Sequence, residues 1–374
     1  MTATPIRVLH VIAGLETGGA ETMLATLVTQ RPAGLDQSVV AMIPGGAQAE
    51  RIRAAGIPLD DLGMSRGRPT LRGLLRLARL IRSGKPDIVQ GWMYHADLAA
   101  MVALALSGRR RRTRLAWNLR CSDMAGDRHG AAFRAVRGAW LRLAGRADLV
   151  LANSEAGLDY HRGLGLAPAA ATRLVPNGID TDRFRPDPEA RHRARAALGI
   201  APDRPVVVNV ARVDPMKDHP GLLAAMASLP EAVLLLVGKG TEALAAPPRV
   251  LGLGERRDVP ALLAAADLVV CASAYGEGFS NALAEGMAAG LPAIATDVGD
   301  ARLILGGTGG LCPPGSPPAL AAAIGNLLRE PADAHAARAA AARQRILDHY
   351  AIGRCVDRYS QIYQELAGSR AAGT

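Results

Sequence analysis

The chain has 374 residues, 49% of them apolar and 3% aromatic, and a formal net charge of +10. That length allows two domains with cores of their own, and the composition excludes a disordered or low-complexity chain. No apolar run approaches the roughly 18 residues of a membrane span, and Met1 to His10 lacks the basic-then-apolar pattern of a secretory leader.

The four cysteines, Cys121, Cys271, Cys312 and Cys355, have no CxxC spacing. They read as reduced thiols of a cytoplasmic protein, not as a disulfide frame or zinc site. Of the 44 lysines and arginines only Lys85, Lys217 and Lys239 are lysines. A basic balance suits anionic partners such as nucleotides or acidic lipids.

In chain order, Ile6–Ile12 predicts a strand, Gly14–Glu21 a glycine turn and Thr22–Thr29 a helix. This is the opening βα unit of a doubly wound sheet, whose ligand crevice lies at the strand carboxyl ends. The turn lacks the GxGxxG spacing of a dinucleotide site, which argues against an oxidoreductase, but Gly18 and Gly19 allow backbone close to a ligand. Further units follow: a strand at Val39–Ile43, a basic helix at Leu71–Arg82, a strand from Pro86 ending near His95, and a helix at Asp97–Ser107. Then come strand Leu115–Arg120, helix Phe133–Ala144, strand Asp148–Ala152 with a cap at Ser154, and a short strand closing on the Asn177-Gly178 turn.

The Pro- and Arg-rich stretch Phe184–Glu189 reads as a linker. The pattern then restarts with strand Val206–Val210, helix Pro220–Ala227 and strand Val233–Val237. It runs through strand Asp267–Cys271, helix Asn281–Ala289 and strand Pro292–Ala295 to helices Ala319–Leu328 and Ala332–His349. A last amphipathic segment, Val356–Leu366, is expected to fold back on the first domain. The fold class is α/β with two doubly wound domains, at 1–183 and 184–350, and a crossover helix at 351–374.

The chemistry concentrates in Tyr275–Glu285. Glu277 stands on a glycine-rich loop and Glu285 one turn into the helix, with seven residues between them. The helix opening offers unpaired N–H groups to an anion. The two acids suit hydroxyls instead, and phosphate flanked by hydroxyl-bearing groups describes a nucleotide sugar. Arg212, at a strand end, and Lys217, opening the next helix, can hold a departing diphosphate, although Arg212 could equally cap its strand and Lys217 face solvent.

In order and spacing, Gly18-Gly19-Ala20-Glu21, Val175–Asp180, Arg212 with Lys217, and Glu277 with Glu285 resemble the retaining glycosyltransferases of family 4. The resemblance covers nearly the whole chain and implies the GT-B fold, two Rossmann-like domains facing across a cleft. It implies that Arg212 and Lys217 bind the donor diphosphate, that Glu277 contacts the donor sugar, and that Glu285 holds the ribose hydroxyls. It places Gly278, Phe279, Ser280 and Asn281 on the loop meeting sugar and phosphate, and Gly18 and Gly19 on a first-domain loop over the phosphates.

The chain departs from the family where Gln90-Gly91-Trp92 replaces a His-x-His, which leaves His95 as the histidine nearest the reacting centre. Arg120 is the acceptor-side candidate, and the short loop after Gly238 leaves base recognition near Arg256, Arg257 and Asp258 open.

The implied activity is retaining, metal-independent transfer from a UDP- or GDP-sugar to a glycan, glycolipid or lipid-linked acceptor in cell-surface polysaccharide assembly. No cofactor or metal is expected. Asp180-Thr181-Asp182 lies in a turn with no strand leading into it, and Gly238-Lys239-Gly240 lacks the P-loop ending. The arginines of 71–82 and 109–114 suit the inner face of an anionic plasma membrane or plain solvent. No aromatics interleave with them, which argues against nucleic acid. The alternatives left open are a GT-B epimerase or hydrolase on the same donor and a non-catalytic nucleotide-sugar-binding protein.

Overall fold

The computed structural model describes residues 4–368 apart from 17, 66–69, 123–129 and 247. Backbone contacts divide the chain into one unit of residues 1–176 and 353–374 and another of 177–352.

The first unit runs β1 (Ile6–Ile12), α1 (Gly19–Thr29), β2 (Leu35–Ala41), α2 (Ala47–Ala54), β3 (Leu59–Asp61), α3 (Leu71–Gly84) and β4 (Ile88–Trp92). It continues with α4 (Tyr94–Leu106), β5 (Arg114–Leu119), α5 (Ala131–Leu143), β6 (Leu149–Ala152), α6 (Glu155–Gly163) and β7 (Thr172–Leu174). Its seven parallel strands are ordered β3-β2-β1-β4-β5-β6-β7.

The second unit contains α7 (Pro188–Ala197), β8 (Val206–Val210), α8 (His219–Ala227), β9 (Val233–Val237), β10 (Val250–Gly252), α9 (Val259–Ala265) and β11 (Leu268–Cys271). Then come α10 (Asn281–Ala288), β12 (Ala293–Thr296), α11 (Ala301–Leu305), β13 (Gly310–Cys312), α12 (Pro317–Leu328) and α13 (Ala332–His349). Its six parallel strands are ordered β10-β9-β8-β11-β12-β13. α14 (Ile352–Gly368) belongs almost wholly to the first unit, where Val356, Tyr359, Ile362 and Tyr363 bury its apolar face.

Both sheets are covered on two faces, so their central strands are near-continuous apolar runs such as Val233–Val237. Three strands share one starting device. Asp87, Asp148 and Asp267 each precede a strand and form a reciprocal pair with its neighbour. Asp87 Oδ2 accepts from Arg7 N–H at 2.9 Å, Asp148 Oδ2 from Leu115 N–H at 2.7 Å and Asp267 Oδ2 from Val206 N–H at 2.8 Å. In return the three aspartate N–H groups donate to the carbonyls of Arg7, Leu115 and Val206. Asp267 also takes Arg191 at 2.6 Å and the buried Arg195 at 2.8 Å. The repeated Pro/Ala-Asp-Ile/Leu-Val run is the sequence trace of this device.

The stretch 184–189 is not a free linker. Phe184 is buried in the second core, Arg343 donates to its carbonyl at 3.0 Å, and Asp187 caps α7 by accepting from Ala190 N–H at 2.8 Å. Residues 177–183 go with the second unit, because Ile179 N–H donates to Tyr350 at 2.7 Å and Ile352 N–H donates to Ile179 at 2.8 Å. Pro and Arg composition there marks a helix start and a carbonyl clamp. The helix after β4 begins at Tyr94, not Asp97, because Met93 takes a left-handed φ of 72° and starts it early.

Candidate active site

In an open parallel sheet the ligand crevice lies at the carboxyl ends of the strands, where the strand order reverses. In the second unit that point is between β8 and β11. The loop after β8 carries Arg212, Asp214 and Lys217. Asp214 caps the single 3₁₀ turn Pro215–Lys217 by accepting from Met216 N–H at 3.0 Å, so Lys217 precedes α8 instead of opening it. Asp214 also accepts from Arg212 Nη2 at 2.9 Å and Nε at 3.2 Å, which holds the exposed guanidinium over the loop. Partial burial pushes the Asp214 carboxyl up, but the Met216 N–H and Arg212 outweigh it and leave its pKa lowered. Gly238 lets the turn after β9 press on this loop. Its φ is 144°, and a Cβ there would lie 2.3 Å from the Ala211 carbonyl oxygen.

The loop after β11 folds back toward the first. Ala274 N–H donates to the Met216 carbonyl at 2.8 Å. Lys217 Nζ forms an ion pair with Glu277 Oε1. The buried Ser273 hydroxyl donates to the same oxygen at 2.6 Å, and Thr296 Oγ1 donates to the Ser273 carbonyl at 2.6 Å. Gly276, at φ 78°, makes the reversal that brings Glu277 back over Ser273. Gly299 sits under the next peptides: a Cβ there would lie 2.4 Å from the Glu277 carbonyl oxygen. Asp300 N–H donates to Gly278 at 3.0 Å.

Phe279 is buried and meets Tyr350 edge-on at 5.2 Å, so its side chain serves the core and only its backbone faces the turn. Ser280 is the N-cap of α10 without a side-chain cap bond, and its Oγ lies 3.6 Å from Cys271 Sγ. Asn281 Oδ1 accepts from Asn177 Nδ2 at 2.6 Å, which ties the Asn177-Gly178 turn to the start of α10. Glu285 is half-buried one turn into α10. Burial pushes its carboxyl up to about 7, opposed by the charge of Arg183. Lys217, Glu277 and the loop 278–281 are thus brought together, with Glu285 on the helix that the loop opens.

In the first unit the reversal lies between β1 and β4. Gly18 is the extended N-cap of α1, accepting from Thr22 N–H at 2.9 Å, and Gly19 is the exposed first helical residue. Thr17 of that turn lies outside the described residues. His95 is exposed on the first turn of α4, and what cover its ring has lowers its pKa. Arg120, past β5, lies over the Trp92 ring at 5.0 Å and donates to Tyr359 Oη at 3.2 Å and Asn118 Oδ1 at 3.4 Å. Asp180 accepts from Arg183 N–H at 3.0 Å as a turn cap. Among the described residues no three His, Cys, Asp or Glu side chains converge as a metal set would. Sequence reasoning missed Asp214, Ser273, Thr296 and Gly299. The Asp-Pro step at 214–215 carried the one available signal, a turn cap.

Two parallel α/β units of this topology define a GT-B protein. The structure of Anabaena HepE in complex with UDP aligns with a TM-score of 0.82 at 24% identity, covering 96% of this chain and 100% of that one. Sucrose-phosphate synthase from Thermosynechococcus elongatus aligns at 0.78 with 21% identity over 97% and 100%. Residues 17–183 match Glycosyltransferase Family 4, and 204–330 match Glycosyl transferases group 1. The GDP-mannose-dependent alpha-(1-6)-phosphatidylinositol monomannoside mannosyltransferase of Mycolicibacterium smegmatis is 32% identical over 301 residues, 74% of this chain and 75% of that protein. The chain belongs to glycosyltransferase family 4 and is an enzyme of sugar transfer. No helix among the described residues is long and apolar enough to cross a membrane.

Proposed function

We propose that this glycosyltransferase is retaining and metal-independent, and that it takes its sugar from a UDP- or GDP-activated donor. The observation that carries this reading is the convergence of Lys217 and Ser273 on Glu277 beside the opening of α10. The donor diphosphate sits at the N–H groups of 278–281, where helix opening and cation act together. Lys217 turns from Glu277 to the leaving phosphate, with Arg212 as second cation. Glu277 then accepts from a hydroxyl of the donor sugar, and Glu285 takes the ribose hydroxyls. In the first unit, Gly18 and Gly19 are the phosphate-side residues of this reading, His95 its catalytic candidate toward the donor sugar, and Arg120 its acceptor-side candidate. The anomeric C–O bond to the diphosphate breaks and an acceptor hydroxyl bonds to the sugar on the same face, its proton passing to the leaving phosphate.

HepE is described with UDP and with UDP-glucose, and the mycobacterial relative is named for GDP-mannose, so both bases stay in the reading. The acceptor is a glycan, glycolipid or lipid-linked sugar of cell-surface polysaccharide assembly at the inner face of the plasma membrane. α3 supports that placement. Arg72, Arg76, Arg79 and Arg82 are exposed beside Leu71, itself 69% exposed, and Leu75. A thermal-shift panel of UDP-, GDP- and ADP-sugars tests the donor, since binding to the folded state raises the midpoint. One UDP- or GDP-sugar is expected to shift it, and transfer is expected to persist in EDTA. A panel without any shift would sink the reading, and loss of transfer in EDTA would remove metal independence.

A further inference from the structure

The family motif accounts for Glu277 but not for the residue that fixes its carboxylate. Ser273 lies two residues past β11 and is 3% exposed. Its hydroxyl donates to Glu277 Oε1 at 2.6 Å. Its own backbone is fixed in turn, because its carbonyl accepts from Thr296 Oγ1 at 2.6 Å. The next residue, Ala274, is tied to the Met216 carbonyl, beside Lys217, at 2.8 Å. Ser273 is therefore a rigid donor on a braced loop. Lys217, by contrast, ends a flexible four-carbon stem on a single 3₁₀ turn.

Two donors on one oxygen are redundant until an anion arrives. A diphosphate competes with Glu277 for Lys217, because both are negative and the lysine has one ammonium. Once Lys217 swings to the phosphate, Glu277 Oε1 keeps the Ser273 hydrogen bond. We infer that Ser273 is a positioning residue, which keeps Glu277 aimed at the donor sugar while Lys217 is engaged by the diphosphate. This inference rests on the donor reading above. Ser273 acts through Glu277 and does not itself touch the donor. It should therefore matter for the sugar half of the ligand and not for the nucleotide half.

The test compares Ser273→Ala with the parent by calorimetry, using UDP against UDP-glucose and GDP against GDP-mannose. With the pair that binds, Ser273→Ala is expected to weaken the nucleotide sugar about tenfold, as for one hydrogen bond to a charged group. The nucleoside diphosphate should bind within about twofold of the parent, which a general loosening of the loop would not permit. In a Glu277→Ala background, Ser273→Ala should change nothing further. Equal losses for both ligands, no loss for either, or an undiminished effect without Glu277 would each overturn the inference. A parent that binds none of the four ligands would overturn the donor reading and this inference with it. A parent that binds normally beside an unaffected Ser273→Ala would overturn the inference alone.

Discussion

The two sheets share a topology and place their polar groups differently. In the first, buried polar side chains stand within the strands: His10 on β1, Gln37 on β2, Gln90 on β4 and Asn118 on β5. Trp92 Nε1 donates to His10 Nδ1 at 3.2 Å, His10 Nε2 meets Gln37 Oε1 at 3.0 Å, and Tyr363 Oη donates to Gln90 Oε1 at 2.7 Å. Asp97, below Gly91, accepts from Trp140 Nε1 at 2.7 Å, and burial holds its carboxyl well above the usual range. All three tryptophans belong to this unit. In the second sheet only Asn209 and the terminal Thr296 are buried polar residues within described strands; the charges of the candidate site stand on loops at the carboxyl ends, and Asp267 with Arg195 at the starting ends. One unit sets polar side chains within its strands, while the other keeps its strands aliphatic and places its polar groups at the strand ends.

If that contrast is right, changes on the second unit's loops cost turnover, and changes inside the first cost stability. Lys217→Ala should lower turnover by about 10²–10³ or more, as for loss of one group stabilising a leaving charge, with the melting midpoint nearly kept. Steady-state rates with an identified donor check this, and near-normal turnover would end the contrast. His10 gives the reverse case. Burial lowers its pKa to about 4 from 6.5, partly opposed by the Gln37 bond. The unfolded chain therefore binds the extra proton between those values, and stability falls as pH drops through that window. The loss should approach about 3 kcal/mol by pH 4 and should shrink in His10→Gln, as read by denaturant unfolding.

Glu285 titrates with the opposite sign. Its carboxyl is raised from 4.5 to about 7, so the folded chain holds the extra proton and stability falls as pH rises across that range. Glu285→Gln should flatten that fall, and nucleoside diphosphate affinity should rise more steeply from pH 6 to 8 in the parent than in Glu285→Gln, since the ligand's own phosphate titrates in both. An equal pH slope in both proteins would refute the ribose role. The smallest effect belongs to Tyr359→Phe, which removes a hydroxyl that Asn118 and Arg120 both reach at 3.0 and 3.2 Å. It should lower the first unit's stability by about 1 kcal/mol, read by hydrogen exchange on β5, without changing nucleotide affinity.

The contrast also explains what the sequence made legible. Glu277 and Glu285 are fixed in spacing by one loop and one helix, so local pattern carried them. Strands Val206–Val210 and Val233–Val237 were readable because burial on both faces makes them uniformly apolar. The pairing of Lys217 with Glu277 was not readable, since it joins loops sixty positions apart. Ser273 and Gly299 also act through tertiary approach. The first unit's network was hidden for the same reason, because His10, Trp92, Arg120 and Tyr359 come from four separate stretches of the chain. The 184–189 stretch misled because a helix N-terminus with Asp-Pro has the composition of a linker.

The aspartates before β4, β6 and β11 clamp the first amides of their neighbours. An insertion just ahead of those strands would pull the clamp out of step and shift the ladder. An insertion beyond the far ends would leave every pairing untouched. The sheet is thus anchored at the edge away from the crevice. The crevice loops are the part of the chain that can be lengthened, shortened or exchanged while the sheet stays in register. Grafting a relative's segment between Ala272 and Ser280 should therefore alter which donor is taken without re-threading β11.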